Sequence, residues 1–480
     1  MSKIIKKSIT GLKWNSLRKV GKTSLNLITT LVLVQFLLPE DFGMVAMITV
    51  FSGLYILFSD FGLGSSIVQK EKLTDLQIST AHWLSCLIGF FFMLILFFCS
   101  NAIANFYGLH ELANIAKAIS LSLVFAGATS IPIALITKEL DFRKLCIIDL
   151  SVMFISGLIA IIAALNGFAI WSLVFLVLSN AIFRFFLIIY LSPWSPRFVF
   201  SISAIKPLIH FGFFHTSNNV LNYSVRNLDD LLIGKFLGST ELGLYSKAYS
   251  LLLMPLKNIT GVFQNVLFPA FSKLQSKQNQ IQDVYLKSVS GIALISFPLM
   301  IIVYFVIDEL IRVFFTEEWY SIIPLVKVFC FLAMIQSVLR ITSILFLAMN
   351  KTKWLFYFNL VTGVIFFIGF FIVLNDGILA IAYWWIAFSS VIGIVQILFS
   401  NYIIELNIFR YVEALSPIIL ISATIFCIGL LIDKHLPIYD NLGRAVVIGI
   451  ILLSCYLGIL LLTNNKTFKS LKNILYNSVK

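Results

Sequence analysis

Apolar segments long enough to cross a lipid bilayer recur about fourteen times along this chain of 480 residues. A spanning helix needs about 20 mostly apolar residues, and a soluble fold has no interior large enough to bury so many of them. The composition agrees: 60% of the residues are hydrophobic and 12% are charged, whereas about a quarter of the residues in soluble chains are charged. We therefore predict an all-α, polytopic membrane protein.

The predicted spans form two sets of seven, separated by short polar or charged links. The first set is 14–38, 42–67, 80–104, 112–136, 146–166, 169–191 and 211–236. The second set is 244–268, 288–308, 320–347, 354–374, 377–400, 413–433 and 443–463. Several links hold only a few residues, so consecutive helices must run in opposite directions. The sequence thus predicts an up-and-down array of helices.

The basic residues indicate how this array is oriented. With the N-terminus in the cytoplasm, 24 of the 35 Lys and Arg residues fall in inside segments, 5 fall in outside loops, and the remaining 6 lie within spans. Cytoplasmic loops of membrane proteins carry such an excess of Lys and Arg. We therefore expect a multi-pass membrane protein with both termini in the cytoplasm. The formal net charge of +13 is then explained without nucleic acid.

The sequence shows no recognisable catalytic, metal-binding or nucleotide-binding motif. The six cysteines are scattered, without the paired spacing of a metal site or a disulfide framework. No Gly-x-x-x-x-Gly-Lys phosphate loop occurs, and the longest loops are under about 25 residues. The basic N-terminus lacks the apolar core and cleavage site of a signal peptide, so we expect it to begin the mature protein. We expect a protein that is not an enzyme and has no cofactor.

A short motif recurs at an offset of 200 residues. An acidic residue, a large apolar residue and Gly stand at 41–43 and again at 241–243, each time between two predicted spans. Parallel repeats of this kind are found in transporters, although two ordinary helix starts would also produce the match. We predict an N-lobe at 1–191, a cytoplasmic linker at 192–206, a C-lobe at 207–400, and two further spans with a basic tail at 401–480. The two six-helix lobes are expected to be pseudo-symmetric.

Polar and ionisable side chains inside the spans mark the candidate site, because such groups are costly in lipid and usually face a cavity or a partner. Span seven carries an unusually polar stripe, with its counterpart in span one. The candidates for a cationic cavity are Arg18, Lys22, Lys117, Arg184, Arg226 and Arg340. The polar cavity candidates are Asn218, Asn219 and Asn222, and the candidates for H⁺ or Na⁺ coupling are Asp149, Asp229 and Asp230.

Other interpretations of these residues remain open. Arg226 and Asp230 are spaced for an intrahelical ion pair. Arg18 and Lys22 are also consistent with a basic anchor at the cytoplasmic surface, and the arginines and lysine deeper in spans four, six and ten are also consistent with side chains that reach an interface. Because in-span cations outnumber acids, we expect an anionic substrate such as a pyrophosphate or an acidic sugar. The guanidinium fork suits phosphate oxygens.

Five segments in order resemble one known group of transporters. They are LPEDFG at 38–43, DFGLGS at 60–65, LIGKFLG at 232–238, LGLYSKAY at 242–249 and LFPAFSKLQ at 267–275. Together they resemble the polysaccharide branch of the multidrug/oligosaccharidyl-lipid/polysaccharide exporter superfamily. Within that branch they are most similar to Wzx-type O-antigen flippases and colanic acid exporters of lipopolysaccharide biosynthesis.

The resemblance implies a flippase for surface polysaccharide biosynthesis. Its substrate would be an undecaprenyl-pyrophosphate-linked oligosaccharide, moved by alternating access around a cationic cavity and coupled to H⁺ or Na⁺. Membrane lipid, a polysaccharide polymerase and a chain-length regulator would be its partners. A cation-coupled multidrug antiporter of the same superfamily is the alternative, but the excess of in-span cations argues against it.

Overall fold

The computed structural model describes residues 2–59, 63–192, 194–201, 203, 223, 227–436 and 440–462. These residues are predominantly helical and include no β-strand, which confirms the predicted all-α class. The chain forms two compact units, Met1–Ser246 and Lys247–Lys480. The predicted lobe and linker boundaries stay a prediction. The first compact unit itself includes described residues on both sides of 192–206.

The first unit contains nine described helical segments and the start of a tenth. They are α1 (Ser2–Leu33), α2 (Pro39–Ser59), α3 (Leu63–Gln69), α4 (Asp75–Phe98), α5 (Ser100–Tyr107), α6 (Leu112–Lys138), α7 (Phe142–Leu165), α8 (Ile170–Leu191), α9 (227–236) and the first residues of α10 (Ser239–Lys273).

The second unit contains the rest of α10 and six further long helices. They are α11 (Gln278–Phe314), α12 (Ile322–Ala348), α13 (Thr352–Val373), α14 (Ile378–Ile403), α15 (Ile408–His435) and α16 (Asn441–Leu462). Short 3₁₀ turns at Glu317–Trp319 and Leu374–Asp376 precede α12 and α14.

Ten of the described helices are long and apolar enough to cross a membrane. They are α4, α6, α7, α8 and α11 to α16, and they account for ten of the fourteen predicted spans. The other four predicted spans, and with them the count of fourteen, stay a prediction. Spans 14–38 and 244–268 correspond to the polar helices α1 and α10, span 42–67 covers α2 and α3, and most of span 211–236 lies outside the described residues.

The third predicted span is shifted relative to its helix. We expected a helix at 80–104, whereas α4 begins at Asp75 and ends at Phe98. The earlier start follows from a capping box, in which the Thr74 hydroxyl accepts from the Gln77 N–H and the Gln77 side chain accepts from the Thr74 N–H. After Cys99 the chain continues as the short helix α5, which ends at Gly108 in the left-handed conformation.

Close contacts fix the direction of α1 against α7. A Cβ built on Gly21 would lie 2.7 Å from the Leu150 side chain, and one built on Gly157 would lie 2.6 Å from the Thr29 hydroxyl. The contact positions increase together along both helices, so α1 and α7 run parallel. This direction agrees with the predicted up-and-down array. The two helices correspond to spans one and five, and odd-numbered spans of such an array all run in the same direction.

The repeated motif forms a contact with itself inside the first unit. A Cβ built on Gly43 would lie 1.8 Å from the carbonyl oxygen of Ser239, and one built on Gly243 would lie 1.8 Å from that of Pro39. Each contact becomes the other when 200 is added to or subtracted from the residue numbers. The Ser239 hydroxyl also lies 3.2 Å from a carboxylate oxygen of Glu40. The starts of α2 and α10 therefore cross with local two-fold character, and two glycines permit the approach.

Residues 194–201, which we name the strap, lie along the first turns of α4. The Trp83 indole donates to the Arg197 carbonyl (2.8 Å), and the Arg197 guanidinium pairs with Asp75 (3.0 Å). The Ser201 N–H donates to the Thr80 hydroxyl (3.2 Å), and the Phe198 ring stacks on Trp83 with centroids 5.0 Å apart. The strap is non-helical, and polar side chains of α4 bind its backbone atoms.

The second unit has one continuous apolar core around α11. Ile292 of α11, Ile341 of α12, Ile418 of α15 and Ile448 of α16 are all buried in it. The Tyr456 hydroxyl of α16 donates to the Leu294 carbonyl of α11 at 2.5 Å. Helices α15 and α16, which we predicted as an addition to a six-plus-six core, thus share their core with α11 and α12.

Candidate functional site

Three predicted site residues meet inside the first unit, on α1, α7 and α8. The Asp149 carboxylate is buried, with a side-chain exposure of 4%. One of its oxygens lies 2.6 Å from Nε of Arg18, and the other lies 2.5 Å from a terminal nitrogen of Arg184. A carboxylate buried between apolar helices needs such partners, because an unpaired charge there is strongly destabilising. The sequence separations are 131 and 35 residues, so only the fold brings the three together.

The helices that carry these residues hold them firmly. Helices α7 and α8 are antiparallel neighbours joined by a short link, and the Asn180 amide of α8 donates to the Ser156 hydroxyl of α7 at 3.4 Å. Helix α1 approaches α7 closely at Gly21 and Gly157. The ion pairs therefore lie between backbones whose separation is fixed by small residues.

This charge group retains unused hydrogen-bond donors. Arg18 bonds to Asp149 through Nε, and its two terminal nitrogens donate to no described group. The side chain is 26% exposed. The buried Nε of Arg184 likewise has no hydrogen-bond partner among the described residues. Lys22, one turn after Arg18, is exposed and within electrostatic reach of all three residues. Three cations thus surround one acid, and part of Arg18 remains open to an anion.

The structure does not bring Lys117 into this group. Lys117 lies near the start of α6, 21 residues before Lys138, which is about 30 Å along the helix axis. Lys138 precedes the short link to α7, while Asp149 lies in the first half of α7. The ammonium of Lys117 instead lies 5.9 Å from the centroid of the Phe97 ring.

Other predicted residues lie elsewhere. Arg340 is partly buried on α12, in the second unit. The polar stripe of span seven, formed by Asn218, Asn219, Asn222 and Arg226, lies outside the described residues. The roles predicted for them stay predictions.

The adjacent acids Asp229 and Asp230 lie on α9, among tyrosines of the first unit. The Tyr245 hydroxyl donates to Asp229 at 3.0 Å, and the N–H of Asp230 donates to the other Asp229 oxygen at 3.0 Å. Asp230 lies within electrostatic reach of Tyr107 and Tyr223. The hydroxyl of Tyr107 is buried without a hydrogen-bond partner among the described residues. These acids remain candidates for ion coupling, and the described residues include no cluster suited to a metal ion.

Sequence reasoning missed a second group of buried charges. Glu309, at the end of α11, is buried and pairs with Arg444 of α16 at 3.2 Å. Arg444 also pairs with Asp433 of α15 at 2.7 Å. In the sequence, two adjacent acids at the end of a predicted span, Asp308 and Glu309, could have indicated this group of charges. This group connects three helices of the second unit and has no excess of cations.

The fold is that of a membrane transporter. It is similar to a solved structure titled "Lipid II flippase MurJ, inward closed conformation", with a TM-score of 0.70 at 17% identity over 92% of this chain and 98% of that one. It is also similar to an inward-facing multidrug resistance MATE family transporter, with a TM-score of 0.63 at 12% identity over 80% of this chain and 94% of that one. At these identities the likeness concerns the fold alone.

Sequence comparison narrows this class to one family. Residues 32–324 match the family described as "Polysaccharide biosynthesis protein", and the chain belongs to it. The predicted resemblance is thereby confirmed. The chain is 27% identical over 478 residues to the teichuronic acid biosynthesis protein TuaB of Bacillus subtilis (strain 168), covering 96% of each. It is 28% identical over 355 residues to the lipopolysaccharide biosynthesis protein WzxC of Escherichia coli (strain K12), covering 74% of this chain and 72% of that one.

Proposed function

We propose that the protein is a flippase for surface polysaccharide biosynthesis. It moves an undecaprenyl-pyrophosphate-linked oligosaccharide from the cytoplasmic to the outer leaflet of the bacterial inner membrane by alternating access. Membership of the polysaccharide biosynthesis family carries this proposal. Two relatives named for teichuronic acid and lipopolysaccharide biosynthesis support it.

The group around Asp149 supports an anionic substrate. Arg18, Lys22 and Arg184 outnumber the single acid they surround, and the terminal nitrogens of Arg18 suit two phosphate oxygens. A cationic drug would be repelled there, which disfavours the multidrug antiporter. In this proposal Arg18 and Lys22 contact the pyrophosphate. Arg184 holds Asp149, while Arg226 and Arg340 are further candidate contacts.

Reconstitution of the purified protein tests this function directly. Liposomes would contain an undecaprenyl-pyrophosphate oligosaccharide with a fluorescent label, and a membrane-impermeant quencher would report the fraction in the outer leaflet. We expect fast loss of nearly all fluorescence with the native chain and about half in protein-free liposomes. Arg18→Ala should reduce the rate at least about tenfold, the effect of losing about 1.4 kcal/mol of binding. Equal rates with and without protein would refute the flippase.

Coupling to H⁺ or Na⁺ is assigned to Asp229 and Asp230. Two adjacent carboxylates can exchange a cation with little rearrangement, and the Tyr245 hydroxyl donates to one of them, Asp229. An imposed H⁺ or Na⁺ gradient should accelerate flipping, and Asp230→Asn should abolish that acceleration while slow, gradient-independent flipping remains. Gradient-independent rates in the native protein would exclude this role.

The cellular setting follows from the same proposal. Both termini lie in the cytoplasm, and a polysaccharide polymerase and a chain-length regulator act on the product in the outer leaflet. Reporter proteins fused after residue 480 test the location of the C-terminus. If it lies in the cytoplasm, a green fluorescent protein fusion should be fluorescent and an alkaline phosphatase fusion should be inactive. The opposite pattern would invert the proposed topology.

A further inference from the structure

Asp149 makes two ion pairs that differ in how they are supported. Its partner Arg184 lies on α8, which is the next helix along the chain and is also bonded to α7 through Asn180 and Ser156. Its partner Arg18 lies on α1, more than a hundred residues away. The two salt bridges also use different atoms: Arg184 binds through a terminal nitrogen and Arg18 through Nε. The Asp149–Arg184 pair is therefore a fixed unit, and Arg18 is the partner able to exchange.

The two unused terminal nitrogens of the partly exposed Arg18 side chain make this exchange possible. A diphosphate approaching the two terminal nitrogens meets them without first displacing Asp149, since neither donates to a described group. Once bound in a bidentate manner, the diphosphate brings more negative charge to Arg18 than the single carboxylate does. It therefore weakens the Nε bond to Asp149 and replaces the carboxylate as the main counter-ion of Arg18. Asp149 is still neutralised by Arg184, so no buried charge is left unpaired. A buried carboxylate with a single partner would lose all compensation in the same exchange.

We propose that Asp149 is a positioning residue that competes with the substrate for Arg18. When the site is empty, the carboxylate holds Arg18 in place and neutralises it. When a diphosphate binds, Asp149 gives up Arg18, and when the substrate leaves, it takes Arg18 back and thereby promotes release. This inference rests on the proposed flippase function and gives the diphosphate a defined way to dissociate from a cationic site.

The competition predicts opposite effects of two substitutions in one ion-pair group. Asp149→Asn removes the competitor, so inorganic pyrophosphate should bind about tenfold more tightly, while the turnover of flipping falls because release is slowed. Arg184→Gln leaves Asp149 with Arg18 alone, so pyrophosphate should bind about tenfold more weakly and KM should rise. Asp149→Glu, which keeps the carboxylate, should restore turnover.

The experiment uses the full chain, with pyrophosphate titrated calorimetrically and KM and kcat measured in proteoliposomes. Asp75→Asn is the matched control, because it breaks an exposed Arg–Asp pair of the same unit on the strap; its binding and turnover should equal those of the native protein. A weaker affinity in Asp149→Asn, or faster turnover together with tighter binding, would overturn the competition.

The two proposals fail separately. If the native protein neither binds pyrophosphate nor flips the lipid, the flippase assignment is wrong. If the native protein does both but Asp149→Asn and Arg184→Gln shift the affinity in the same direction, only the competition is wrong. Should Asp149→Asn not insert into the membrane, the Arg184→Gln affinity and the Asp149→Glu turnover decide the matter.

Discussion

At the scale of single residues, the packing of α1 on α7 depends on small side chains. Gly157 faces the Thr29 hydroxyl, and Gly21 faces Leu150. Interfaces between membrane helices commonly use small residues in this way, since lipid offers little hydrophobic drive for helix association. The position of Arg18 relative to Asp149 follows from that approach, so residues that never touch a substrate control the geometry of the site.

Replacing Gly157 with Val should separate α1 from α7. The new methyl groups would lie within about 3 Å of Thr29, and overpacking of this kind costs about 1–3 kcal/mol. We expect a lower melting temperature in detergent, because the close packing of α1 on α7 is lost. Gly458→Val on α16, where a built Cβ meets nothing within 4 Å, is the control. Equal melting temperatures for the two variants would contradict the role given to this contact.

At the scale of helices, the crossing of α2 and α10 repeats one contact twice. Gly43 faces the carbonyl of Ser239, and Gly243 faces that of Pro39. A sequence match of three residues predicted that the two segments are related, but not that they touch. Helix starts that cross at glycine can separate and re-form without rearranging side chains.

Gly43→Ala and Gly243→Ala should therefore have closely similar effects. In each case the added methyl would lie 1.8 Å from a carbonyl oxygen, so the helix starts must move apart by more than about 1 Å. A disulfide between Cys residues introduced at Glu40 and Ser239, whose side chains are 3.2 Å apart, should form more slowly in both variants. The control is Gly449→Ala, where the nearest atom is 4.0 Å away. Strongly unequal effects would show that the two-fold contact is not functionally symmetric.

At the scale of the whole molecule, hydropathy predicted most helix positions. The predicted spans 112–136 and 169–191 match α6 (Leu112–Lys138) and α8 (Ile170–Leu191) within two residues, because an apolar run of fixed length leaves little freedom. The pairing of Arg18 with Asp149 was not predictable in this way. It depends on which face of α1 meets α7, and no local pattern encodes a contact across 131 residues.

The shared core of the second unit predicts how the protein responds to truncation. A chain ending at residue 436 loses α16, with Ile448 and the Tyr456 bond to Leu294. Glu309 also loses Arg444 and is left as a buried, unpaired carboxylate. We expect loss of folded protein, measured by size-exclusion chromatography in detergent. A chain ending at residue 462 retains α16 and should elute like the full chain. A monodisperse chain ending at residue 436 would instead show that α16 is dispensable for folding.

The strap is constrained more in its length than in its side chains. Because α4 binds backbone atoms at positions 197 and 201, many side chains are compatible with these hydrogen bonds, but a single inserted residue would displace every bond that follows it. The strap therefore has no slack between Arg197 and Ser201. Relatives with longer or shorter connections should place their insertions and deletions outside positions 197–201, where they displace neither set of these hydrogen bonds.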